Sequence, residues 1–191
     1  MLFLRFGLIL ILAAAAAAQT TVISVSNAAS GSFGLPLSAA APGSIINVQI
    51  VRGAPVVVNP WFLTAQVKIT SLNSSEQDAP ILRASTGSVW ALVPKDAPFG
   101  KAQVVLISGE QRSAPAQIDI VPAAVGLFAQ DSSGIGPALA QNDSPSEAPV
   151  LNQLTNPARP GDYLTLWGTG LGQTSLRDIS VEVGGMATVP S

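Results

Sequence analysis

The side chains able to do chemistry in this chain are eleven carboxylates, nine basic groups, three Trp, one Tyr and six Phe. Its 191 residues include neither histidine nor cysteine. Histidine is the commonest general base and metal ligand near neutral pH, and cysteine supplies the thiolate nucleophile. Their absence excludes Ser-His-Asp triads, cysteine nucleophiles and ordinary zinc sites. A carboxylate pair could still hydrolyse a glycosidic bond. Here, however, Asp119 and Glu182 fall on outward positions of alternating runs, and Asp96 and Glu110 fall in turn-like segments. These read as solvated surface. No Ser-x-x-Lys dyad exists, because Lys68, Lys95 and Lys101 all lack a serine three residues before. Asp131, Asp143 and Glu147 offer oxygen ligands without the regular spacing of a calcium loop. The run Gly168-Thr169-Gly170-Leu171-Gly172 invites comparison with a dinucleotide loop, but Gln173 stands where the last glycine of G-x-G-x-x-G would be. A strand pattern rather than a helix follows, so a glycine turn is expected. The chain is expected not to be an enzyme and to need no cofactor or metal.

The aromatics are the binding candidates. Trp61-Phe62 lies in an apolar insertion, Val56 to Phe62, where it could stack on sugar rings, anchor a partner or cap the core. Trp90 belongs to an apolar strand, and Tyr163 and Trp167 take the strand face opposite Leu164 and Leu166. Such residues imply an unknown protein or polysaccharide partner. A net charge of −2 and a pI near 4.9 offer nucleic acid no counter-charge.

The elements that must position these residues are short strands. Ala65-Gln66-Val67-Lys68-Ile69, Ala116-Gln117-Ile118-Asp119-Ile120 and Ile179-Ser180-Val181-Glu182-Val183 each alternate apolar and polar residues, the mark of a half-buried strand. Ser88 to Val93 and Gly100 to Ser108 are more apolar and read as buried strands. Ser108-Gly109-Glu110-Gln111 reads as a hairpin turn. Short strands with turns at this spacing predict an all-β antiparallel sandwich. With no disulfide available, a packed core must hold it together.

The N-terminus carries Arg5, an apolar run from Phe6 to Leu12, then small residues ending in Ala16-x-Ala18. That order is a secretory signal peptide over residues 1–18. It predicts a secreted or cell-surface protein with no membrane span after cleavage.

One phrase occurs twice. Asn27-Ala28-Ala29-Ser30 leads to Ala41-Pro42-Gly43-Ser44-Ile45-Ile46-Asn47-Val48, and Asn156-Pro157-Ala158 leads to Arg159-Pro160-Gly161-Asp162-Tyr163-Leu164-Thr165-Leu166. Ile46 and Val48 thereby align with Leu164 and Leu166. The expected organisation is a complete module over 25–121, a linker or long connection over 122–149, and an incomplete second module over 150–191. A unit of about 40 residues rarely folds alone. It is therefore expected to dock on the first module or on another chain.

These phrases, with Val93-Pro94, Pro98-x-Gly100-x-Ala102-x-Val104, Ser113-Ala114-Pro115, Gly126-Leu127-Phe128, Leu166-Trp167-Gly168-Thr169-Gly170-Leu171-Gly172 and Val181-x-Val183-Gly184-Gly185, carry a resemblance. The chain resembles the acidobacterial, Solibacter-type C-terminal repeat family, whose modules are similar to the IPT/TIG branch of immunoglobulin-like sandwiches. The resemblance implies an exported bacterial protein of immunoglobulin-like fold, and it supplies no catalytic residue. Where the family often carries polar residues before Val93-Pro94, this chain has Trp90 and Leu92. A non-catalytic role in adhesion, spacing or protein interaction is the expectation, with carbohydrate binding through Trp61, Phe62 and Trp90 as the alternative.

Overall fold

The computed structural model describes residues 21–30, 38–51, 58–59, 62–63, 65–72, 74–85, 87–144, 147–183 and 185–188. The expected signal peptide and Trp61 lie outside them. In chain order the first strands are β1 (Thr21–Asn27), β2 (Ala39–Ala40), β3 (Ile45–Val51), β4 (Val58–Asn59), β5 (Phe62–Leu63), β6 (Ala65–Ser71) and β7 (Gln77–Ala79). Then come β8 (Ile81–Ser85), β9 (Ser88–Leu92), β10 (Gly100–Ser108), β11 (Gln111–Arg112) and β12 (Ala116–Ile120). The remainder holds β13 (Gly126–Leu127), β14 (Ala140–Asp143), β15 (Val150–Leu151), β16 (Tyr163–Leu166), β17 (Gly168–Thr169), β18 (Val181–Val183) and β19 (Met186–Thr188). Among the described residues no helix is long and apolar enough to cross a membrane.

Two sheets make the first unit, an all-β sandwich. One has the order β1-β3-β9-β8, the other β2-β12-β10-β6-β7, with β11 against β10. Every pairing is antiparallel except β2 with β12, where the chain crosses to the second sheet before returning as β3. Period-two alternation dictates which side chains meet between the sheets. Val25, Ile46, Val48, Val89 and Ala91 come from the first sheet, and Val67, Ile69, Val104, Leu106, Ile118 and Ile120 from the second. β-Branched residues dominate because their stiff side chains suit a pleated surface. No aromatic ring belongs to this core among the described residues.

Ser44 is buried at the mouth of β3, and its hydroxyl has no hydrogen-bond partner there. A buried polar group without a partner is destabilising. Ser44→Ala is therefore expected to leave stability unchanged or raise it by up to about 1 kcal/mol. A loss above that in a urea melt would mean that the hydroxyl is satisfied.

The second unit is a three-stranded sheet of order β15-β14-β16 followed by the β18–β19 hairpin. Residues 122–149, expected as a linker or long connection, hold both β13 and β14. In the first unit Val25 faces Val48 and Asn27 faces Ile46, and in the second Ala140 faces Leu166 and Asn142 faces Leu164. The residue across the ladder from Leu164 is therefore Asn142, not the Asn156 of the phrase nearest Pro160-Gly161. Asn156 instead gives its carbonyl to the Asn142 amide at 2.9 Å. Gly43 and Gly161, each after a proline, both take positive φ, 77° and 96°.

Candidate functional site

Two places gather the residues singled out from the sequence. The first is the joint between the units. Leaving β16, the chain forms β17, which pairs antiparallel with β13 so that Gly126 faces Thr169 and Leu127 faces Gly168. The Thr169 hydroxyl accepts the Ile45 backbone N–H at 2.8 Å, reaching the start of β3 in the first sandwich. Gly170 accepts the Ala124 N–H at 2.8 Å, and the buried Asn27 amide donates to the Ala124 carbonyl at 2.6 Å. Gln173 donates to the Lys95 carbonyl at 3.4 Å. The glycines allow this approach. A Cβ on Gly170 would lie 1.9 Å from the Ala124 carbonyl oxygen, and one on Gly172 would lie 2.0 Å from that of Pro122. The run that resembled a nucleotide loop is a backbone-to-backbone joint between the two units.

Trp90 stands beside the same joint. Its ring stacks on Phe128 with centroids 5.8 Å apart and planes 15° from parallel. The Arg83 guanidinium, opposite it on β8, lies 5.7 Å from the ring centroid. Stacked aromatic geometry adds about 0.5–1.5 kcal/mol beyond burial, and a cation over the ring adds about 0.5–1 kcal/mol at an exposed site. Trp90 therefore ties β9 to the connection leaving β13. Phe62 pairs through its backbone with Asn59, and its side chain lies outside the described residues.

The second place is the sheet of the second unit. Leu164 and Leu166 are the residues that the sequence aligns with Ile46 and Val48 of the first unit. Ile46 and Val48 are 0 % exposed, whereas Leu164 and Leu166 are 40 % and 38 % exposed. The difference is the covering layer: β6, β10 and β12 lie over the first pair. Val150, across β14 from Leu164, is exposed on the same face. Tyr163 and Trp167 project from the opposite face, 65 % and 51 % exposed. The sheet is held by a polar network, in which Asn152 donates to the buried Asn142 side chain at 2.7 Å and Thr165 donates to Asp143.

The carboxylates are dispersed, and several have a partner of their own. Asp78 pairs with Lys68 at 2.6 Å and Asp119 with Lys101 at 2.8 Å, each directly across a ladder. Glu147 meets Arg159 at 3.4 Å. Glu76 binds Arg112, and that hydrogen bond holds its carboxyl below the ordinary value. Asp131 accepts the Ser133 N–H at 3.0 Å, and hydrogen bonding from Ser133 lowers its carboxyl too. Asp131, Asp143 and Glu147 thus each have a separate partner, and among the described residues no group of three His, Cys, Asp or Glu could hold a metal ion. The sequence reading missed Arg83, Phe128 and Thr169 as contact residues, although Phe128 and Thr169 stood in quoted motifs. No protein-family model and no curated protein sequence matches the chain.

Proposed function

We propose that this is an exported, non-catalytic protein of immunoglobulin-like modules that acts in adhesion, spacing or protein interaction at a bacterial cell surface. The observation that carries the reading is the second unit's sheet, which presents Tyr163 and Trp167 on one face and Leu164 and Leu166 on the other, all exposed. Contiguous exposed apolar side chains mark interaction surfaces, and aromatics are enriched at the cores of such surfaces. The immunoglobulin-like assignment draws on strand order. With β1, β3, β6, β8, β9, β10 and β12 lettered A to G, the two sheets follow the A-B-E-D and G-F-C orders of that sandwich. Export rests on the charged, apolar, small-residue order of residues 1–18 and on the chain's sparse charge, 10 % of residues.

Carbohydrate binding through Trp61, Phe62 and Trp90 is the competing reading. Sugar stacking needs an open ring face, and Trp90 already lies against Phe128 and Arg83. The deciding experiment presents the purified protein and its Trp61→Ala variant to a polysaccharide panel and a hydrolytic substrate panel. The expected result is neither retention nor turnover. Retention lost in Trp61→Ala would replace the proposal with a carbohydrate-binding module, and reproducible turnover abolished by a carboxylate substitution would overturn it.

A further inference from the structure

The outer edge of β16 is the place where the two copies differ most in what their backbones do. Antiparallel ladders alternate, so that successive residues point their N–H and C=O groups to opposite sides. In the first copy the Val93 N–H binds the Ser44 carbonyl at 2.8 Å and the Gly43 N–H binds the Val93 carbonyl at 3.0 Å. By alternation Ile46 and Val48 point their backbone groups at β9, facing Ala91 and Val89. In the second copy the Trp167 N–H binds the Leu139 carbonyl at 3.1 Å, and the Asn152 N–H binds the Ala140 carbonyl at 2.9 Å. Both bonds fix the same phase. Tyr163 and Thr165 aim at β14, and Leu164 and Leu166 aim away from it. Among the described residues β16 has β14 as its sole neighbouring strand.

Exposed edges are normally protected by charge, proline or a bulge. From Tyr163 to Trp167 this edge has none of these: the residues are Tyr, Leu, Thr, Leu and Trp. They also read the same in both directions, aromatic–Leu–Thr–Leu–aromatic. We propose that β16 pairs antiparallel with β16 of a second copy of this chain, across a twofold axis through Thr165. In that register Leu164 faces Leu166 of the other copy as a hydrogen-bonded pair, which uses the backbone groups that point outward. Thr165 faces its own counterpart as a non-hydrogen-bonded pair. Tyr163 faces Trp167, giving two aromatic cross-strand pairs on one side and two leucine pairs on the other. Asp162 falls opposite Gly168, so no like charges meet. A register shifted by one residue would oppose backbone groups of the wrong phase. The pairing is isologous and closed, as a twofold contact requires. Two half-exposed aromatics of about 150–250 Å² each put the contact at the small end of stable interfaces, so a micromolar dimer is expected. This inference does not depend on export or on adhesion.

The test is sedimentation of the full chain over a concentration series, joined to cysteine cross-linking. The chain has no native cysteine, so Thr165→Cys places one thiol at the axis, where paired Cα atoms about 4.5 Å apart suit a disulfide. Thr165→Cys is expected to form a covalent dimer under mild oxidation, and Leu154→Cys, at a fully exposed turn, is not. Tyr163→Glu with Trp167→Glu should weaken the dimer at least about 100-fold through facing like charges. Tyr163→Lys with Trp167→Lys should do the same, and mixing the two double variants should restore dimerisation. Wild-type protein that stays monomeric at high micromolar concentration overturns the proposal. So does equal cross-linking at 165 and 154, or a failure of the mixture to associate while both variants keep the wild-type circular dichroism.

Discussion

Ile46→Ala is expected to destabilise the protein by about 2–5 kcal/mol, and Leu164→Ala, at the sequence-aligned position of the second unit, by less than about 1 kcal/mol. Both residues start as large aliphatic side chains on the second position of matching strands. Truncation at Ile46 removes a fully buried side chain between two sheets and leaves a cavity walled by residues fixed in a close-packed core. Truncation at Leu164 removes a side chain that is already 40 % in water, where no cavity forms and little transfer energy is lost. The check is urea denaturation of both variants, with the slope compared so that midpoint shifts report stability alone. Equal losses would mean that something covers the Leu164 face in solution, which the dimer variants above would then help identify.

The second large effect belongs to Gly170. Its backbone sits at φ 94°, where an L side chain is strained by about 1–3 kcal/mol. A methyl group there would also meet the Ala124 carbonyl oxygen at 1.9 Å, a backbone atom that cannot rotate aside. Gly170→Ala is therefore expected to break the joint, exposing residues 122–126 to protease at least about 100-fold faster, since opening tracks local stability. Gly161→Ala is the control. It carries similar strain at φ 96° but has open space around the added methyl, so it should show the strain without release of the joint. If the two variants are cleaved alike, steric contact with Ala124 is not what holds the units together.

The part of the fold legible in the sequence was the part governed by local alternation. Ala65, Val67 and Ile69 turned inward, and Gln66 turned out, because period two is set by the backbone itself. The Pro-Gly turns at Gly43 and Gly161 were legible for a similar reason, since a left-handed glycine is a local demand. That Asn142 lies across its ladder from Leu164 was not legible, because register set over a long loop leaves no periodic mark. Val181–Val183 was legible as a strand, though shorter than the alternation from Ile179 suggested. At the joint, the glycines signalled a turn, but not what the turn would touch. The stack of Trp90 on Phe128 joins residues nearly forty positions apart, and neither neighbourhood encodes the other. Alternation puts Tyr163 and Trp167 on the face opposite Leu164 and Leu166, and their exposure follows from what does not lie over them.

The bonds from Asn27 to Ala124, from Ala124 to Gly170 and from Ile45 to Thr169 also bear on mechanics. A free flexible segment over residues 122–149 would let its ends wander on the order of 30 Å apart, and a load on it would first be taken up as entropic slack. Here the segment is clamped at its start, so tension along the chain reaches hydrogen bonds and a glycine contact at once. The span from one unit to the next is then a fixed length that fails at a threshold, which suits a gauge better than a tether.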